Sequence, residues 1–61
     1  MRDLEGLKKT AVDWLTKKFN LAPEDFSFVD VWDTEYSYLL LYNVRKEDAP
    51  NYGSTVAYKV Q

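Results

Sequence analysis

The alternation of hydrophobic and polar positions divides the 61-residue chain into one helical segment and three extended segments. From about residue 4 to residue 19, apolar residues recur every three or four positions and fall within an arc of about 160° at 100° per residue. Asp3 is suited to the N-cap position, Asn20 to a left-handed C-cap, and Pro23 prevents continuation of the helix. The pattern therefore predicts an N-terminal amphipathic helix with one apolar face.

Residues 35–44, EYSYLLLYNV, form the most hydrophobic segment and predict the central strand of a small sheet. Every even position carries an apolar or aromatic side chain. The odd positions are polar at the ends of the segment, but Leu39 and Leu41 occupy the middle. This strand therefore requires cover on both faces.

Residues 26–33, FSFVDVWD, predict a preceding strand that is also apolar on both faces. Asp33 and Thr34 provide the turn signal between the two strands, which predicts an antiparallel hairpin. The register stays open, because a two- or four-residue loop would pair Phe28 with Leu39, whereas a three-residue loop would pair it with Leu40.

Residues 45–53, RKEDAPNYG, combine charges with turn-forming residues and predict a loop. Tyr52 at its base is a candidate binding anchor, although a solvated connector with a packed tyrosine is the more favoured interpretation. Residues 54–61 alternate regularly, which predicts a one-sided terminal strand with Lys59 placed to discourage edge-to-edge pairing.

These elements predict a two-layer α+β fold in a single domain spanning residues 1–61. One N-terminal helix packs on a three-stranded antiparallel β-meander, in the order α-β-β-β. The order of elements resembles a truncated cystatin-like or PepSY-like unit, in which a sheet curls round one helix. The resemblance lies in topology and assigns no functional residue to this chain.

Composition argues against enzymatic activity. The chain has no histidine and no cysteine, so it cannot supply Ser/His or Cys/His catalysis, a disulfide or an ordinary zinc site. Asp30, Asp33 and Glu35 cluster near the predicted turn and could form an acid/base pair or a magnesium site. Solvated turn residues are the more common outcome, so we expect no enzyme and no cofactor.

Charge argues against nucleic-acid binding. Tyr36, Tyr38 and Tyr42 on an open sheet would be typical of a surface that stacks single-stranded bases. However, residues 23–44 carry five acids and no base, and this segment would repel phosphates. The acidic segment could attract a basic partner, but charge balance within the chain is the simpler interpretation.

No apolar run is long enough for a membrane span, and the N-terminal segment lacks the apolar core of a signal peptide. We therefore expect a cytoplasmic protein that does not bind membranes, with earlier removal of a signal left open.

The strongest functional expectation comes from comparing the two apolar faces of the sheet with the single face that the helix can cover. Two strands are apolar on both sides, and one helix can cover only one side, so an apolar patch should remain exposed. The patch contains either Val29, Val31, Leu39 and Leu41, or Phe26, Phe28, Leu39 and Leu41. The candidate interaction residues are Val29, Val31, Leu39, Leu41, Trp32 and Tyr52.

Two kinds of association fit this patch. In the first, the chain is a small adaptor or inhibitor that docks on a larger protein. In the second, it forms a homodimer with a structural role. Two alternatives without association also stay open: the loop or the N-terminal residues could cover the second face, or the tyrosines could simply be half-exposed.

Overall fold

The computed structural model describes residues 3–60 and confirms the predicted α+β fold, with one helix followed by a three-stranded antiparallel sheet in the order β1-β2-β3. The elements are α1 (Leu4–Phe19), one turn of 3-10 helix (Pro23–Asp25), β1 (Phe26–Asp33), β2 (Tyr38–Val44) and β3 (Thr55–Val60).

The boundaries of α1 follow the predicted signals. Asp3 holds the extended N-cap conformation, although its carboxylate makes no capping hydrogen bond. At the other end, Asn20 adopts the left-handed conformation (φ 57°, ψ 48°), and its N–H donates to the carbonyl of Thr16. Because Pro23 follows three residues later, the helix cannot continue, and the chain turns through the 3-10 segment into β1.

The loop between β1 and β2 has four residues, one of the lengths left open by the sequence, and β2 begins at Tyr38 rather than at residue 35. The N–H of Ser37 donates to Thr34 Oγ1 at 2.9 Å, and the N–H of Thr34 donates to the carbonyl of Ser37 at 2.8 Å. These bonds satisfy the backbone locally, which favours a four-residue loop over continuation of the strand. The predicted two-residue turn signal at Asp33 and Thr34 was therefore incomplete.

The register between β1 and β2 contains a β-bulge at Val29. On one side of the bulge Phe28 pairs with Tyr42, and on the other side Val31 pairs with Leu40. Neither of the two predicted partners of Phe28 is observed. The extra residue shifts the alternation of β1 by one position, so Phe28 and Val31 both lie on the face that carries the buried side chains of β2.

The core lies between α1 and this face of the sheet. Its buried residues are Ala11, Leu15, Phe26, Tyr38, Leu40, Tyr42, Val44 and Ala49. Ala49 comes from the loop between β2 and β3, so that loop packs into the core side of the sheet. The last predicted strand residue, Gln61, lies outside the described residues.

Polar and aromatic contacts fix the helix on the sheet. The hydroxyl of Tyr42 donates to the carbonyl of Lys8 at 3.3 Å, and Lys8 Nζ lies 4.1 Å from the centre of the Phe28 ring. Near the opposite end of the helix, Trp14 packs on Tyr58 of β3 with ring centres 5.4 Å apart. The layer of side chains beneath α1 therefore extends across all three strands.

Candidate functional site

The face of the sheet turned away from α1 is the candidate functional site, and we call it the outer face. Cross-strand pairing arranges it in three rungs, which run from β1 through β2 to β3. The rungs are Ser27–Asn43–Thr55, Asp30–Leu41–Ala57 and Trp32–Leu39–Lys59.

Two of these rungs place apolar side chains side by side. Trp32 is 53% exposed and lies opposite Leu39, while Leu41 lies between Asp30 and the exposed Ala57. Leu39 and Leu41 are only partly buried, in contrast to Leu40 between them, which is fully buried. Because the helix and the β2–β3 loop pack into the other side, the indole and the two leucines form a contiguous apolar cluster open to solvent.

The structure brings three of the six predicted interaction residues together on the outer face: Trp32, Leu39 and Leu41. Val29 is the bulged residue, unpaired with β2 and 48% exposed. Val31 pairs with Leu40 and packs against the core, so it does not belong to the outer face. The predicted grouping of Val31 with Leu39 and Leu41 is therefore wrong, because the bulge changes the side that Val31 occupies.

Tyr52 lies apart from the apolar cluster. Its side chain is 55% exposed and lines a shallow concavity of about 380 Å³ together with Ser27 and Asn43. Those two residues form the rung nearest the β2–β3 loop, so Tyr52 borders the outer face at the end opposite Trp32.

Two charged members of the outer face were not among the candidate interaction residues. Asp30 lies on β1 and Lys59 on β3, in adjacent rungs and at opposite edges of the sheet. Among residues 3–60 neither forms an ion pair, although Asp30 Oδ1 accepts a hydrogen bond from the N–H of Val31 at 2.8 Å. The outward position of Lys59 could be read from the alternation of β3, but that of Asp30 depends on the bulge.

The three tyrosines considered for base stacking do not share an open surface. Tyr36 is 87% exposed in the β1–β2 loop, whereas Tyr38 and Tyr42 are buried on the helix side. Burial raises the pKa of the Tyr42 hydroxyl above its ordinary value, and the negative charge of Glu5 raises it further. Tyr42 therefore serves as a neutral core residue.

The three carboxylates near the hairpin lie in two different elements. Asp30 and Asp33 belong to β1, and Glu35 lies exposed in the following loop. Within residues 3–60, no group of three or more acidic side chains is arranged to hold a metal ion.

A second concavity, of about 750 Å³, lies between the first turns of α1 and the β1–β2 loop. Leu7, Tyr36 and Val60 supply apolar lining, and Asp3 and Glu35 supply carboxylates. Carboxylates would attract a cation, but the positive end of the helix dipole opposes one at this position. The outer face therefore offers the better defined contact surface.

No family model, no curated protein and no solved structure matches this chain. Within the described range, α1 is too short and too polar to cross a membrane.

Proposed function

We propose that this protein is a non-enzymatic association module that binds another protein chain through the outer face. The observation that supports the proposal is the solvent-open cluster of Trp32, Leu39 and Leu41. Contiguous exposed apolar surface on a small protein usually marks an interaction site, and tryptophan commonly contributes a large share of binding energy.

The surroundings of the cluster also support association. Polar residues of the first rung and the two charged residues form a rim around the apolar centre, which is the usual organisation of a protein interface. The backbone beneath the cluster belongs to the central strand and its neighbours, so the surface is held by strand pairing on both sides of β2.

The proposal is tested by the double substitution Leu39→Ser and Leu41→Ser. We expect the variant to keep the circular dichroism spectrum and cooperative unfolding of the wild type, because both side chains lie outside the core. Association should be lost, whether the wild type associates with itself in sedimentation or retains a partner from an extract of its native host.

Tyr36→Ser is the matched control. It removes an aromatic side chain that is more exposed than Trp32 but lies in the β1–β2 loop, away from the outer face. We expect this variant to associate like the wild type. A wild type that stays monomeric and retains the same proteins as the double-serine variant would refute the proposed function.

A further inference from the structure

We infer that the occupant of the outer face is a second copy of this chain, related by a two-fold axis that passes over the centre of β2. This inference rests on the proposed function and names the partner of the same surface. The observations that carry it are the placement of Asp30 and Lys59 around the apolar cluster and the absence of an ion pair for either within residues 3–60.

The charges on the outer face are complementary to the same face of another copy. Asp30 lies at the β1 edge in the rung of Leu41, and Lys59 lies at the β3 edge in the rung of Leu39. The midpoint between the two charged positions therefore falls over Leu40. Consider a two-fold axis that lies in the plane between two facing sheets, passes over this midpoint and runs perpendicular to the line joining the charges. Rotation about this axis places each Asp30 opposite the Lys59 of the other copy.

The same rotation superimposes the apolar centres. Leu39 and Leu41 flank the axis on the outer face, so each pair of leucines lies against its own counterpart. Both ion pairs then form at the rim of an apolar contact, where they are only partly screened by water. A partner with charge of one sign would leave either the carboxylate or the ammonium group opposite a like charge.

The size of the face predicts a weak dimer. Strands about 4.8 Å apart, with about seven residues at about 3.3 Å each, give a projected area of roughly 330 Å² per copy. The side chains enlarge this area, so two copies would bury on the order of 1,000 Å² in total, at the lower end for specific interfaces. The dimer should therefore dissociate on dilution, and a series from about 1 µM to about 1 mM should span the transition.

Charge reversal tests the inferred arrangement. Asp30→Lys gives an outer face with two bases, and Lys59→Asp gives one with two acids. Each variant alone should dimerise about tenfold or more weakly than the wild type, since both symmetric ion pairs become repulsive. An equimolar mixture should recover dimers in sedimentation equilibrium, because every charge then faces its opposite across the axis.

The controls reverse charges on the helix instead. Asp13→Lys and Lys9→Asp change net charge by the same amounts at exposed positions of α1. Neither these variants nor their mixture should differ appreciably from the wild type, which separates specific pairing from general attraction between oppositely charged proteins. If Asp30→Lys fails to fold, Asp30→Asn keeps an oxygen that can accept from the N–H of Val31 and should still weaken the dimer, by a few fold.

The outcomes separate this inference from the proposed function. A wild type that stays monomeric at about 1 mM refutes the second copy as occupant, while loss of a host partner in the double-serine variant would still support an association module. A dimer that the serines dissociate but the charge reversals do not affect refutes the inferred two-fold arrangement and supports the outer face as an interface. If each charge-reversal variant alone dimerises weakly and their equimolar mixture dimerises like the wild type, the result supports both the proposed function and the inferred two-fold arrangement.

Discussion

Three consecutive leucines of β2 have different surroundings, and this difference fixes what each residue contributes. Leu40 is fully buried beneath α1, while Leu39 and Leu41 are partly exposed on the outer face. The core therefore depends on Leu40, and the apolar cluster of the outer face depends on the other two.

Alanine substitution should separate these roles. We expect Leu40→Ala to lower the free energy of unfolding by about 2–5 kcal/mol, because it leaves a cavity in the packed core. Leu39→Ala and Leu41→Ala should each cost about 1 kcal/mol or less in the monomer. Urea denaturation at low protein concentration measures all three, and equal losses at all three positions would contradict the assignment of faces.

Tyr42 should make stability depend on pH in the alkaline range. Its pKa is raised in the folded chain, so the folded state keeps the phenolic proton at pH values where the unfolded chain, with an ordinary pKa of about 10, has lost it. The contribution of the protonated Tyr42 hydroxyl to the free energy of unfolding is therefore complete below about pH 10, and it is lost as the pH rises through the pKa of the folded state.

Tyr42→Phe tests that prediction. The variant should be about 0.5–1.5 kcal/mol less stable at pH 7, because the hydrogen bond to the carbonyl of Lys8 is lost. Above pH 10 the difference should shrink, since phenylalanine does not titrate and the lysine residues are common to both proteins. Parallel denaturation curves from pH 7 to pH 11 measure it, and a constant difference would contradict the burial of the hydroxyl.

At the scale of elements, the bulge in β1 decides which side chains enter the core. Phe26 and Phe28 precede it and Val31 follows it, yet all three lie on the helix side. If Val29 instead paired with β2 as a regular strand residue, the two halves of the strand would present their apolar side chains to opposite faces.

Deletion of Val29 should therefore be tolerated, because this half-exposed residue has no partner in β2 and the residues on either side of it keep theirs. Closing the bulge leaves Phe28 opposite Tyr42 and Asp30 opposite Leu41, so both phenylalanines and Val31 stay on the helix side. Insertion of one glycine between Glu47 and Asp48, in the exposed loop, is the length-change control and should cost little. Thermal unfolding followed by circular dichroism compares the two variants, and a much lower melting temperature for the deletion would contradict the register assigned to β1 and β2.

Patterns contained within one element were sufficient to predict most of the fold. The helix, its C-cap, the bounds of β1 and the strand order followed from periodicity and from Asn20 and Pro23. The hairpin register did not follow, because it depends on Thr34 and Ser37 bonding each other's backbone and on a bulge that no glycine marks.

The candidate site was predicted to the same extent. The sequence was sufficient to select Leu39, Leu41 and Trp32, because two faces of the sheet are apolar and one helix can cover only one of them. Val31 was placed on the wrong face, and Asp30 was not assigned to the interaction surface, for one reason: both lie beyond the shifted position in β1.

At the scale of the whole molecule, the chain has a larger accessible surface than a compact monomer of the same mass. Its accessible surface is 4480 Å², against roughly 4,100 Å² expected for a compact monomer of this mass. The Cα radius of gyration is 11.4 Å, against about 10.5 Å for a typical domain of this length. Both differences are consistent with a sheet that is covered on one side.

Association should therefore be visible in the fluorescence of Trp32. In the variant Trp14→Phe, which leaves Trp32 as the single tryptophan, the indole is half-exposed in the free chain. When the outer face is occupied, its emission should shift to shorter wavelength and its quenching by acrylamide should fall. Tyr52→Phe in the same background is the control for changes at the far end of the face, and unchanged quenching on association would exclude Trp32 from the interface.

The bulge also has a consequence for crowded solutions. It interrupts the regular spacing of backbone donors and acceptors along the free edge of β1, which disfavours pairing with another strand there. At the opposite edge, the charge of Lys59 on β3 has the same effect. In the inferred dimer, face-to-face contact would cover the apolar cluster of both copies and leave none free for a further copy to bind. We therefore expect a concentrated sample to stay clear, with growth stopping at two copies rather than continuing into fibres.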